Sequence, residues 1–531
     1  MADLILMADR IHTLTPGIRP TAVAVAGGRI TALGDRADVR DWRGPGTRII
    51  DVGTATITPG LVDGHTHPVH GIGLTRGLDL SGVHTLAGLK DALRSASSVC
   101  AAPDGWLEGW GLDPDAFKGA PLTAAPLIEV LGPHVPVFLR FFDAHSALVS
   151  PRALDIAGPA ARSHAGVVRD ADGQPTGCLL ELEAVETVRA VLPPDPPGTR
   201  LRRLRELLTR MAASGLTAAN AMDFEEDSLA LFRALEDAGD LPMRWRCAPL
   251  VTPGADLADI VAKQRLHGRR WQVEGAKFMI DGTVDGGTAW LDEPDSLGES
   301  TASIWPDPGE YAAAARHLAG HGVPTVSHAI GDAGIRYALD TVGRLPRQRV
   351  PHRIEHLETM PGDLIGRFAA LDVTASMQPT HCTHHTRADH TDNWSRRLGK
   401  LRADRAFRAR DLRDSGARLV LGSDWPIAPF DPRGILAAAR LRRPAGAVDT
   451  SPVLPAQGLT ARMALEGYTS QAAEAAGIGD SGRIAAGCRA DFSVFELDPL
   501  GVDADEFAES AVVMTVVEGD VLFGGSFAAD G

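Results

Sequence analysis

The sequence predicts an α/β protein: a (β/α)8 TIM-type barrel with a small composite β-sandwich domain formed by the N- and C-terminal segments. Three observations carry this expectation. The middle of the 531-residue chain alternates short apolar runs with amphipathic helical segments, the texture of repeated βα units. Both ends hold short β-rich runs broken by Gly, Pro and Asp. A long Pro- and Gly-rich interval exceeds what one βα connection needs, so it reads as an insertion.

In chain order, "LILMADRIHTL", "TAVAVAGGRITALG" and "TRIIDVG" read as hairpin-type strands, and "GRIAAGCRADFSVFELDP" and "AVVMTVVEGDVLFGG" repeat that texture near the other end. Chain termini of compact proteins often lie close together, so residues 1–57 and 480–531 are expected to build one sheet domain. Residues 58–479 are then the barrel. Its eight candidate strands are "ATITPGLVDGH", "VPVFLRFFDAH", "GLTAANAMD", "VEGAKFMIDG", "GVPTVSHAI", "HRIEHLE", "DVTASMQP" and "ARLVLGSDWP". Helix candidates such as "PGTRLRRLRELLTRMAAS", "DSLALFRALEDAG", "GEYAAAARHLAGH" and "AGIRYALDTVGRL" place Leu and Ala at helical spacing, with charged residues on the other face. The insertion around 81–197, which includes "LPPDPPGT", is expected over the active face, where loops carry specificity.

Composition excludes several function classes. Hydrophobic residues make up 44 % and charged residues 23 %, values of a folded globular protein. A formal net charge of −15 without a long basic run argues against a nucleic-acid partner. No apolar run reaches the roughly 18 to 20 residues of a membrane span, and "MADLILMADR" lacks a secretory pattern, so a cytoplasmic protein is expected. The five cysteines, Cys100, Cys178, Cys247, Cys382 and Cys488, are scattered and odd in number, with no C-x-x-C. Neither a disulfide framework nor a zinc knuckle is indicated; Cys382, in a His-rich stretch, stays open.

The chemistry begins at "GLVDGHTHP". Residues i and i+2 of a strand share a face, so His65 and His67 can aim two imidazoles at one point. That is a partial site for a divalent transition metal. Further ligand-type residues end other candidate strands: His328, His356 and Asp424. In a barrel these carboxyl ends converge on the active face. Lys277 lies in the apolar run "VEGAKFMIDG", where an ammonium is costly to bury unless paired, for example with Asp281. A desolvated, uncharged lysine has a second option: it can add carbon dioxide and become a carbamate able to bridge metals. His145 and His381 also follow candidate strands and are expected to contact substrate, with Trp425 beside Asp424 as a wall of the pocket. His384, His385 and His390 read as solvated loop residues. Trp106, Trp110, Phe117, Trp290, Trp305 and Trp394 either rim the pocket or pack the insertion and loops.

The blocks "ITPGLVDGHTHP", "KFMIDG", "VSHAIGDAGI", "RIEHLE", "MQPTH", "GSDWPIAPFDP" and "GRIAAGCRADFSVFELDP" resemble, in order and over nearly the whole chain, the amidohydrolase superfamily. More narrowly they resemble its amidohydrolase-3 branch, the YtcJ-like proteins that include N-substituted formamide deformylase. The resemblance implies the barrel, the composite β-sandwich and a centre of one or two divalent metal ions, of zinc type. It implies that His65, His67 and Asp424 hold the more buried ion and that His328 and His356 hold the more exposed one. Lys277 falls where many relatives carry a bridging carboxylated lysine.

The expected reaction is metal-dependent hydrolysis of a linear amide-type C–N bond in a small molecule, an N-formyl or N-acyl amine. A bound ion lowers the pKa of water to about 7, and Asp424 would relay a proton to the leaving nitrogen. The alternatives are cleavage of a cyclic amide, imide or carbamate, deamination of an aminoheterocycle, and a non-catalytic binding protein on the same fold. A homodimer is compatible with all of these readings.

Overall fold

The computed structural model describes residues 1–524, apart from 18, 97–104, 119, 143, 145, 226 and 240. Its centre is two all-parallel sheets. One runs in the order Trp271–Val273, Arg244–Cys247, Leu216–Ala221, Leu61–Thr66. The other runs Leu250–Val251, Ala276–Met279, Thr325–Ala329, Arg353–His356, Thr374–Met377, Leu419–Leu421. The chain passes directly from Cys247 to Leu250 and from Val273 to Ala276, so two strands of the first sheet continue into two strands of the second. At the other side a parallel bridge joins Thr66 to Trp425, just past the Leu419–Leu421 strand.

Two glycines permit that last approach. A Cβ on Gly64 would lie 2.3 Å from Val420 Cγ1 and 2.6 Å from the Leu421 carbonyl oxygen; one on Gly422 would lie 2.5 Å from the His65 backbone nitrogen. Gly64 is therefore required by the neighbouring strand rather than by a group bound in the site. The helices between strands follow their apolar periodicity. Asp332–Val342 buries Ile335, Ala338, Leu339 and Val342, and Pro308–Gly320 starts at Asp307, whose carboxylate accepts from the Gly309 N–H at 2.8 Å.

One expected barrel strand lies elsewhere. The run "VPVFLRFFDAH" forms Val137–Phe141, which pairs with Leu107–Leu112 and Ala147–Val149 outside the parallel sheets. The strand that follows Leu216–Ala221 is instead "RWRC", Arg244–Cys247. Apolar periodicity says that a strand is buried, not which sheet buries it. The two arginines of Arg244–Cys247 disguised a strand whose charges are met by ion pairs: Arg244 to Asp491 at 3.0 Å, Arg246 to Glu274 at 3.1 Å.

Val137–Phe141 belongs to a compact unit of residues 69–204 with its own mixed six-stranded sheet, ordered Val167–Arg169, Pro175–Leu179, Ala147–Val149, Val137–Phe141, Leu107–Leu112, Leu78–Asp79. Leu80, Leu89, Leu93, Leu107, Leu139 and Leu148 fill its core, with Phe117 among them. Trp106 packs on a second apolar cluster of the same unit.

The two ends of the chain meet in the other unit. Leu4–Met7, Ala22–Ala26, Arg29–Gly34 and Arg48–Asp51 form one sheet; Arg10–Ile11, Thr56–Pro59, Phe492–Phe495, Val512–Val517 and Asp520–Gly524 form a second. A single core of Leu4, Leu6, Val23, Val25, Ile57, Phe492, Val494, Met514 and Val516 draws on both. Val23 and Val25 enter it on one face while Ala24 faces Ala2 and Ile5 on the other, the strand period of two. Cys178, Cys247, Cys382 and Cys488 are buried; Cys100 lies outside the described residues. Among the described residues no helix is long and apolar enough to cross a membrane.

Ser493 ties the terminal strands to the parallel ones. Its buried hydroxyl accepts from the Leu61 N–H at 3.0 Å and donates to the Gly215 carbonyl at 2.6 Å. Ser493→Ala orphans both groups and is expected to cost about 1–3 kcal/mol, read as a lower urea midpoint at unchanged slope.

Candidate metal centre

His65, in Leu61–Thr66, and His67, just past it, both reach Asp424, whose Oδ1 lies 3.3 Å from His65 Nε2 and 3.2 Å from His67 Nε2. Its Oδ2 lies 3.5 Å from His381 Nε2 and 3.9 Å from His356 Nδ1. His356 in turn has its ring 4.8 Å from that of His65 and 4.3 Å from that of His328. Lys277, almost fully buried on Ala276–Met279, places Nζ 3.3 Å from His65 Nε2. Five parallel strands, and the helix Pro379–His385 that follows a sixth, thus deliver these groups to one place. Two of the residues sit in left-handed backbone, His356 at φ 75° and Asp424 at φ 58°, a conformation that costs free energy and is held by the surrounding packing.

The supporting contacts fix charge and orientation. Glu355 Oε2 is 2.7 Å from His65 Nδ1, which leaves Nε2 to face Asp424. Arg353 bonds Glu355 through Nε at 2.9 Å and also reaches Ser376 and the Gly64 carbonyl. Burial opposes the Glu355 charge, but Arg353 and His65 hold its carboxyl well below the usual range. Burial pushes His65 down to about 4 and His328 to about 3, with Lys277 adding to both, and drives His356 well below its ordinary value. Those imidazoles are neutral near pH 7, the form that binds cations. Against burial, His65 and His67 keep Asp424 an anion. Lys277 is lowered by burial to about 8, so its uncharged amine is accessible.

Not every expected contact forms. Asp281 does not pair with Lys277; it accepts from the backbone N–H groups of Trp290, Ile330 and Gly331, and burial raises it to about 7. Among the described residues Lys277 has no carboxylate within ion-pair distance. His328 turns Nε2 to the Gly282 carbonyl at 3.1 Å, and His381 completes the second tight group, with His356 and Asp424. His384 and His385 are not loop residues: Pro379 opens a helix, Pro379–His385, that carries them. His145 lies outside the described residues. Trp425 is nearly buried, edge-on to Phe430. Trp305 and Trp394 pack rather than line a rim; the Trp394 Nε1–H donates to Glu358, whose other oxygen stands 3.6 Å from His381.

Sequence reasoning missed Arg353, Glu355 and Glu358. The signal was there: an Arg and a Glu two apart within a strand flanked by apolar runs are buried charges in need of each other.

The donor set fits a divalent cation. The groups His65, His67, Asp424 and His356, His381, Asp424 each bring three ligand atoms within 4.8 Å of one another. Asp424 Oδ1, His356 Nδ1 and His381 Nε2 are buried without hydrogen-bond partners, a costly state that a cation would relieve.

Comparison with known proteins agrees. A family model described as "Amidohydrolase family" matches residues 48–523. The putative amidohydrolase YtcJ of Bacillus subtilis is 28 % identical over 528 residues, covering 96 % of this chain and 97 % of that protein. The N-substituted formamide deformylase of Arthrobacter pascens is 26 % identical, covering 98 % of each chain. An uncharacterised metal-dependent hydrolase from Pyrococcus horikoshii has a solved structure with TM-score 0.73 at 23 % identity, covering 94 % of this chain and 99 % of that one. Fold, donor set and likeness define a metal-dependent hydrolase acting on carbon–nitrogen bonds. The chain belongs to the Amidohydrolase family.

Glu355 acts through His65, so Glu355→Gln is expected to weaken zinc affinity roughly 10- to 100-fold, measured by competition with a chromogenic chelator on protein whose circular dichroism is unchanged.

Proposed function

We propose that this enzyme hydrolyses a linear amide-type bond, an N-formyl or N-acyl amine, in a small molecule. Its fold is read as a (β/α)8 barrel beside a composite β-sandwich of residues 1–57 and 480–531. The run of parallel strands, with the Thr66–Trp425 bridge and the close approach at Gly64, supports the barrel. The two sheets that share one core support the sandwich.

The single observation that carries the reading is the buried Asp424 carboxylate among four imidazoles. His65, His67, His328, His356, Lys277 and Asp424 are the residues proposed to hold one or two divalent ions, zinc foremost, with Lys277 as a carbamate. A cation held there supplies Lewis acidity and makes water nucleophilic near neutral pH. Asp424, an anion in this setting, accepts the proton of the attacking water and delivers it to the departing nitrogen, which cannot leave as an amide anion. His381 is kept ready to donate: burial opposes its charge, but Glu358 and Asp424 outweigh that and raise its pKa. In this reading it polarises the substrate carbonyl, with Trp425 as a wall. The deformylase likeness along the full chain favours an acyclic N-formyl or N-acyl substrate over a cyclic one.

Asp424→Asn is expected to lower kcat by about 100- to 10,000-fold with a much smaller change in KM. The check is a panel of N-formyl amines, N-acyl amines, cyclic amides and carbamates, run with the zinc-loaded wild type and the variant. Equal rates in the two proteins would refute the role of Asp424; turnover confined to cyclic amides or carbamates would refute the substrate class. Chelation is expected to abolish hydrolysis and added zinc to restore it.

A further inference from the structure

The Leu61–Thr66, Leu216–Ala221, Arg244–Cys247 and Trp271–Val273 strands form one parallel sheet, and His65 lies near the carboxyl end of the first. Towards their amino ends they border a separate cavity of about 800 Å³. Its wall is unlike the rest of this acidic protein: seven arginines face five carboxylates, a surplus of two positive charges.

Most of these arginines have structural work. Arg244 bonds Asp491 and Glu518, Arg270 bonds Glu518 and Asp520, and Arg29 and Arg489 share Asp480, at 2.6–3.2 Å. Arg246 differs. It is nine-tenths buried, yet its guanidinium makes one hydrogen bond, Nε to Glu274 Oε2 at 3.1 Å. Glu274 is already shared with Arg349 at 2.9 Å and with Gln272 at 2.8 Å. Both terminal nitrogens of Arg246, four of its five N–H donors, are therefore without a protein acceptor among the described residues. Burial disfavours its charge, and Arg353 and Arg349 add to that against the pull of Glu274. Glu274 engages only Nε, so the terminal nitrogens are left to take a further anion, and their planar fork of N–H groups matches two oxygens of a carboxylate or phosphate.

We propose that this cavity binds a small dianionic oxyanion, a phosphate monoester or a dicarboxylate, on the terminal nitrogens of Arg246, with Arg349 and Gln272 at its mouth. The charge surplus sets the dianion. The site stands apart from the hydrolytic centre and does not depend on which bond that centre cleaves.

The test is calorimetric titration of the metal-loaded enzyme with inorganic phosphate and, separately, with succinate at constant ionic strength. Saturable binding of at least one probe is expected, weakened by about tenfold or more in Arg246→Gln and in Gln272→Glu. Phosphate alone binding points to a phosphate ester, succinate alone to a dicarboxylate, and either outcome with that dependence supports the site. Binding of equal strength in wild type and both variants would locate the anion elsewhere, the metal centre included, and overturn the proposal, as would no binding of either probe. Gln272 is exposed, so Gln272→Glu decides the matter if Arg246→Gln does not fold.

Discussion

One carboxylate governs the architecture: the buried Asp424 lies within 4 Å of four imidazoles. Neutral imidazoles and an anion can be kept that close only if the backbone that carries them cannot relax. The left-handed residues at His356 and Asp424, the side-chain-free passage of Gly64 against Val420, and the Glu355 contact to His65 are three parts of that restraint. Each costs free energy locally, and each is held by strands whose other face is ordinary apolar core.

The charges around the centre are arranged in layers. Arg353 neutralises Glu355, Glu355 orients His65, and His65 faces Asp424. On the other side Trp394 fixes Glu358, which stands by His381. Aromatic bulk remote from substrate thereby contributes to the electrostatics of the site. The same logic recurs at the opposite ends of the strands, where Glu518 and Asp491 gather arginines from segments far apart in sequence.

Much of this was legible from residue types. His65 and His67 followed from the strand period, and His328, His356 and Asp424 from their places at strand ends; all five lie together. The helices Asp332–Val342 and Pro308–Gly320 were legible as candidates from their periodicity. What escaped was set by tertiary partners. "RWRC" reads as polar until Asp491 and Glu274 are in place, and "VPVFL" reads as any buried strand until Leu107–Leu112 claims it. Glu355 was signalled by Arg353 two residues before it, whereas Glu358 is tied to the site only through Trp394 and His381, partners distant in sequence.

The hydroxyl of Ser493 has a further consequence, for the order in which the molecule is made. It meets Leu61, 432 positions earlier in the chain, and the Phe492–Phe495 strand is the partner of Thr56–Pro59. At a synthesis rate of roughly 5 to 20 residues per second, the entrance to the strand that carries His65 waits roughly 20 to 90 seconds for this second partner. During that interval the side of Thr56–Pro59 away from Arg10–Ile11 is an open strand edge on the nascent chain. His65 and His67 leave the ribosome long before the Phe492–Phe495 strand that helps to lock their own segment into place.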